Sequence, residues 1–126
     1  MPGYTEAAKH TMLAALVGKA TPDNTVTHLS IHTADPGSTG ANEVAGGDPA
    51  YARVAVTESD FDAPAGGECH LNNDKEFNGP ANEDATHYGI WDGTDFLGGG
   101  ANTGDLTFNA EGVLLLKAGT KLDLNA

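Results

Sequence analysis

Basic residues are scarce in this chain: 6 lysines and arginines stand against 18 aspartates and glutamates, and the formal net charge is −12 over 126 residues. A surface so negative repels phosphate backbones and anionic lipid headgroups, which excludes nucleic-acid binding and membrane insertion as expected functions. Cysteine occurs once, at Cys69, so an internal disulfide framework is excluded. A small half-buried strand residue is the expected role of that thiol, because a reactive thiolate wants cationic neighbours and only His70 adjoins it. No apolar run approaches the ~20 residues of a membrane-spanning helix. The opening "MPGYTEAAKHTMLAAL" has no basic flank leading into an apolar block, so no signal peptide is expected. Serines stand only at Ser30, Ser38 and Ser59, and none lies in a G-x-S-x-G context. "GGG" at 98–100 has no following lysine and no strand-to-helix setting, so it is not a phosphate loop.

The acid excess has two readings once disorder is set aside, and disorder is set aside because the apolar residues fall in patterned segments. The acids either bind cations or form a solvated surface suited to concentrated salt, where screening shortens self-repulsion to roughly 3 Å at 1 M. The second reading fits the paucity of lysine and arginine better.

What is present reads as one helix followed by strands and turns. In "YTEAAKHTMLAALVGKA", Ala8, Met12, Leu13, Leu16 and Val17 form a helical stripe, with Thr5 as N-cap, Glu6 in the first turn and Gly18 as the stop. "TPDN" then breaks the chain. Strands are expected in "TVTHLSIHT" (25–33), "YARVAVTE" (51–58), "GGECHLN", "KEFN", "ATHYGIWD" (85–92), "FLGG", "GDLTFN", "GVLLLKA" and "TKLDLN". In "YARVAVTE", Ala52, Val54 and Val56 share one face, and Tyr51, Arg53 and Thr57 the other. The expected fold is mainly β: an antiparallel, jelly-roll-like β-sandwich of about eight strands with an N-terminal α-helix. The expected organisation is a single domain over 1–126, with the helix at 4–18 covering an open end or edge of the sandwich at 25–126. "THLSIHTAD" (27–35) and "THYGIWDGT" (86–94) echo each other, as two strands doing the same structural job would.

The stretch "HTADPGSTGANEVAGGDPAYAR" (32–53) is too long and polar to be a simple turn, and loops of more than ~12 residues usually have a task. His28 and His32 are four residues apart, which on a strand separates them by roughly 13 Å and prevents shared metal coordination. A calcium loop starting at Asp35 fails at its third position, Gly37, and its twelfth, Gly46. "DGTD" (Asp92, Asp95) and "NED" (Asn82, Glu83, Asp84) are better read as solvated turn acids, with a structural cation such as calcium as the alternative. No cofactor is expected. Ser38 in "PGSTG" is explained by turn formation. Trp91 is opposite in parity to Tyr88 and Ile90, so one of these faces is expected in the core and the other wet or at an interface. Arg53, the sole arginine, is expected to pair with Asp35 or Glu43 and pin the loop, because its planar fork binds a carboxylate bidentately. Asp35, Glu43, Arg53 and Trp91 are thus the loop and interface candidates, and no catalytic set emerges.

"TMLAAL", "THLSIHTADPGSTGANEVAGGDPAYARVAV" and "THYGIWDGTDFLGGG" together resemble a family of small virion proteins of tailed viruses, variously described as tail-fibre, minor tail or head-decoration proteins. The order of helix, strand, long loop, strand and hairpin is the same, and the similarity covers nearly the whole chain. The acidic drift and the charged "ECHLNNDKEFNGPANED" segment depart from the pattern and suggest a salt-adapted relative, from a virus of a halophilic archaeon. The resemblance implies a non-enzymatic β-sandwich protein on the virion, at the tail or capsid exterior. It would act as a homo-oligomer in contact with other virion proteins. A host-surface or carbohydrate-binding module with a host receptor as partner is the alternative, and a cell-surface polymer hydrolase a weaker one.

Overall fold

A computed structural model describes residues 3–19, 25–66, 68–102 and 104–123. The element order is β1 (Gly3–Tyr4), α1 (Glu6–Leu16), β2 (His28–His32), β3 (Val54–Ala55), a 3-10 turn (Glu58–Asp60), β4 (Glu68–His70), β5 (Lys75–Asn78), β6 (His87–Asp92), β7 (Asp95–Ala101), β8 (Val113–Leu116) and β9 (Lys121–Asp123). The strands form an antiparallel β-sandwich rather than a closed barrel. One sheet has the order β1-β7-β6-β2-β3, and the pairs β4-β9 and β5-β8 complete the fold.

The two echoing segments become the two central strands, paired antiparallel from His28 opposite Trp91 to His32 opposite His87. Their shared Thr-His start does the same local work at both ends of the ladder. Thr27 Oγ1 meets His28 Nδ1 at 2.9 Å, and Thr86 Oγ1 meets His87 Nδ1 at 2.8 Å. Leu29, Ile31, Tyr88 and Ile90 share one face of the sheet and enter a core with Phe77, Leu114 and Leu116 of the β5-β8 pair. Phe108 and Leu71 fill the same core from connecting segments. The Tyr88 hydroxyl donates to the Lys121 carbonyl and ties the large sheet to β9.

Helix α1 is built as its ends dictate and packed less than its periodicity implies. Thr5 accepts the Ala8 N–H at 3.1 Å, and Lys19 and Gly18 donate to the Ala14 and Ala15 carbonyls at 2.7 and 3.1 Å. With Gly18 at φ +76, that is a Schellman stop. The helix itself is shorter than 4–18. Of the apolar stripe, Ala8 is buried and Met12 packs against the core, whereas Leu13, Leu16 and Val17 are 59, 80 and 66 % exposed. A stripe becomes a core face only where another element lies against it, and α1 meets the body through its first turns beside β7.

"YARVAVTE" pairs only at Val54–Ala55, because Tyr51 and Arg53 turn to the loop instead of the ladder. "GDLTFN" supplies bridges rather than a strand, with Gly104 opposite Leu116 and Thr107 opposite Asp84. The "TPDN" break and the end of "TKLDLN" lie outside the described residues.

Candidate functional site

The second face of the large sheet carries Ser30, His32, Gly89 and Trp91, a set with too few apolar atoms to make a core of its own. The chain covers it with residues 33–53. This segment is two turns separated by a short bridge. In the first turn, the Pro36 carbonyl accepts the Gly40 and Ala41 N–H groups, and Asp35 Oδ1 accepts the Gly37 N–H at 2.8 Å. That N–H is the main cause holding the Asp35 carboxyl below its ordinary range. The chain then runs beside β2, with Thr33 N donating to Asn42 O and Val44 N to Ile31 O. The second turn closes through Tyr51 N to Gly46 O. The tips at 38–39 and 45–50 are exposed.

Glu43 sits where the bridge crosses β2, and three donors converge on it. Arg53 gives Nε to Oε2 and a terminal guanidinium nitrogen to Oε1, both at 2.9 Å, and the Tyr51 hydroxyl donates to Oε2 at 2.8 Å. The bidentate fork is the strong form of this ion pair. Burial works against the Glu43 charge, but the bonds from Arg53 and Tyr51 outweigh it and hold the carboxyl below its ordinary range. Burial, followed by the hydrogen bond to Glu43, pushes the Tyr51 phenol well up. Tyr51 also accepts the Ile31 N–H at 3.0 Å and stacks on Phe77, which links the clamp to the core. The Arg53 guanidinium carbon lies 3.5 Å from the Trp91 ring centroid. Arg53 is therefore held between a carboxylate and an aromatic face, the arrangement that suits a planar guanidinium.

Beneath Trp91 runs a chain of hydrogen bonds whose protons are set by the end groups. Indole Nε1–H only donates, so Ser30 Oγ accepts it at 2.8 Å. The Ala41 carbonyl only accepts, so His32 Nδ1 carries its proton, at 2.7 Å. In the neutral imidazole, Nε2 then takes the Ser30 hydroxyl proton, also at 2.7 Å. Burial holds His32 below the ordinary imidazole range, against the Ala41 carbonyl and the Glu43 charge. Ser30 and His32 are 0 % exposed, so a reacting molecule cannot reach the pair and it serves as internal structure.

Glu43 rather than Asp35 is the acid that receives Arg53, and Asp35 orders its own turn. Trp91 does not stand on a wet face. It is 6 % exposed because Arg53 covers its ring and Gly40 presses on its edge. Sequence reading missed Tyr51 as a clamp member, although its parity with Arg53 was the signal. It also missed Ser30 and Phe96, whose polarity and position carried none. Phe96 packs against Trp91 with centroids 5.1 Å apart. Among the described residues, no group of three His, Cys, Asp or Glu side chains is placed to hold a metal ion. "DGTD" is the β6–β7 hairpin turn, with Asp92 opposite Asp95. Cys69 donates to the Asp62 carbonyl, and burial raises its thiol. No described helix is long and apolar enough to cross a membrane.

Gly40 tests how closely the loop sits. Its φ is +77, and an added Cβ would lie 2.8 Å from Trp91 and 3.1 Å from Phe96. Gly40→Ala is expected to cost roughly 2 kcal/mol from strain and overpacking, read by chemical denaturation, and to shift the Trp91 emission as the turn lifts. An unchanged denaturation midpoint would show that the turn is not pressed on the ring.

A search of curated protein sequences finds no match. The model of the family described as "Podophage GP4 fiber I protein gp80" matches residues 3–119, which spans both central strands, the clamped loop and the β6–β7 hairpin. The chain belongs to this family of phage fibre proteins.

Proposed function

We propose that the protein is a non-enzymatic structural component of a tailed-virus fibre, built into the particle in repeated copies through contacts with other virion proteins. The observation that carries this reading is the family match over residues 3–119. The clamp supports it: a 21-residue connection from 33 to 53 is tied down by Glu43, Tyr51 and Arg53, and its two tips are left in solvent. Rigid display of loops is what a contact-making surface protein requires. The Ser30–His32 pair is a hydroxyl–imidazole contact beneath the loop, and its burial favours a structural over a catalytic role. The net charge of −12 fits a surface that works in concentrated salt, away from packaged nucleic acid.

Gold-labelled antibodies against the chain, imaged on purified particles, are expected to mark the tail fibres. Label on the capsid exterior would move the protein to a decorating role. Absence of the chain from purified particles would overturn the reading.

A second reading, contact with a host surface, is favoured by a groove beside the clamped loop.

A further inference from the structure

We propose that the chain associates head to tail with further copies of itself, the exposed apolar face of α1 on one copy seating in the open cleft between residues 25–26 and 58–64 of the next. The proposal rests on the reading that the protein works in repeated copies.

The α1 face is the main apolar surface left uncovered. Among the described residues, the exposed large hydrophobic side chains are Leu13, Leu16, Val17 and Leu106. The first three stand on the last turn of α1 and its C-cap, at a spacing that puts them on one side of the helix. This face also belongs to the least acidic part of the chain. Residues 3–19 hold Lys9 and Lys19 against Glu6 alone, and every other acid lies beyond them. Among the described residues, Lys9, Arg53, Lys75, Lys117 and Lys121 are each ion-paired to an acid of the same chain. Lys19, two residues past Val17, is the remaining cation and has no such partner.

The cleft has the complementary character. It is open and has a volume of about 500 Å³. Val26, Phe61, Ala63 and Pro64 make much of its wall apolar, and Glu58 and Asp62 bring carboxylates to it. Neither acid belongs to the ion pairs above. Aliphatic side chains followed by an unpaired ammonium thus face an apolar wall with unpaired carboxylates. Pairing α1 with α1 would cover the apolar face but leave Lys19 and the cleft acids unmatched. The net charge of −12 does not forbid the contact, because at physiological salt repulsion is screened beyond ~8 Å while touching groups still interact.

Topology sets the two surfaces apart. Helix α1 lies beside β7, at the β1-β7 edge of the five-stranded sheet. Residues 25–26 lead into β2 and residues 58–64 follow β3, at the other edge. The contact is therefore heterologous, and a copy bound through its helix still offers its cleft. Such contacts close into a ring or continue as an open series, and they do not stop at a two-fold dimer.

The test is sedimentation velocity of the full chain at physiological salt and rising concentration. The parent is expected to form a concentration-dependent series of species larger than a dimer. Leu16→Asp, which spoils the helix face, and Ala63→Arg, which spoils the cleft, change exposed positions. Each variant alone is expected to be monomeric with the melting temperature of the parent. Mixed together, they are expected to give a heterodimer and nothing larger, because one supplies an intact cleft and the other an intact helix face. Lys19→Glu and Asp62→Lys alter surface charge only. Each is expected to weaken association severalfold, and their mixture to associate better than either alone. The proposal is overturned if the parent stays monomeric, if Ala63→Arg assembles as the parent does, if the first mixture gives no heterodimer, or if the charge variants associate like the parent. Self-association in solution and antibody labelling of particles are separate readouts. A monomeric chain on labelled fibres overturns this inference alone, and a self-associating chain absent from particles overturns only the fibre reading.

Discussion

Trp91→Ala is expected to lower the stability of the protein by about 3–5 kcal/mol, the cost of removing a buried aromatic ring and leaving a cavity. For a chain of this length, that corresponds to a fall of roughly 10–20 °C in melting temperature. The effect should be at the upper end because the ring has three separate tasks. It carries the Arg53 guanidinium on one face, donates to Ser30, and packs against Phe96 at 5.1 Å. With the ring gone, Arg53 loses its stacking partner and the 36–41 turn loses the surface on which Gly40 rests. Hydrogen exchange at Gly40 and Ala41, whose N–H groups bond to Pro36, should therefore accelerate more than exchange in β5 or β8. Trp91→Phe keeps part of the volume but removes the N–H, and should cost about 1–2 kcal/mol. A Trp91→Ala protein that melted with the parent would refute the role of the ring as the loop's foundation.

Glu43→Ala is expected to cost about 3 kcal/mol. Breaking a fully buried ion pair costs roughly 3–5 kcal/mol, and the lower figure applies because the Arg53 and Glu43 side chains remain 31 and 21 % exposed. The loss combines the bidentate fork with the Tyr51 bond, and it leaves a phenol facing a vacated position. Limited proteolysis should then cut within 45–50, a tip that the clamp otherwise holds. Arg53→Lys should cost about 1 kcal/mol or more, since an ammonium neither forks onto the carboxylate nor stacks flat on indole. A lysine variant with parental stability and an uncut loop would sink the clamp.

The same carboxylate predicts a pH dependence. Glu43 binds its proton more weakly folded than unfolded, so its contribution is complete above the ordinary glutamate value of 4.5. It is lost as pH falls through the lower folded value. His32 also binds its proton more weakly when folded. Its effect begins higher, with stability declining as pH drops below the ordinary imidazole value of 6.5. Arg53, Glu43 and His87 are the charged or titratable neighbours that act on His32. Protonated His32 would turn a second donor towards Ser30 Oγ, which already receives the indole N–H. Other carboxylates with lowered values, Asp35 and Asp60 among them, also weaken the fold in acid. The informative measurement is therefore the difference between the parent and Glu43→Gln. The variant should keep the decline that starts near 6.5 and show a shallower one below 4.5. Identical profiles would remove Glu43 as a source of acid sensitivity.

The sequence by itself determined the elements whose signals are local. The β-branched and aromatic runs around Ile31 and Ile90 became the central strands, because alternation and propensity act within a few residues. Thr5 and Gly18 bounded the helix, because a cap and a left-handed stop depend on backbone groups one turn away. The single arginine among so many acids pointed to a clamp, since a lone guanidinium has few roles that lysine cannot fill. Which acid it takes was settled only in three dimensions. Asp35 and Glu43 are both carboxylates available to the arginine on paper, but the bridge beside β2 carries Glu43 to Tyr51 and Arg53 and leaves Asp35 in its own turn. Tertiary structure alone decided that both sheet faces are covered, and so that Trp91 is buried. It also left Leu13 and Leu16 exposed despite their helical stripe. Burial is a property of two facing surfaces, and a local pattern specifies only one of them.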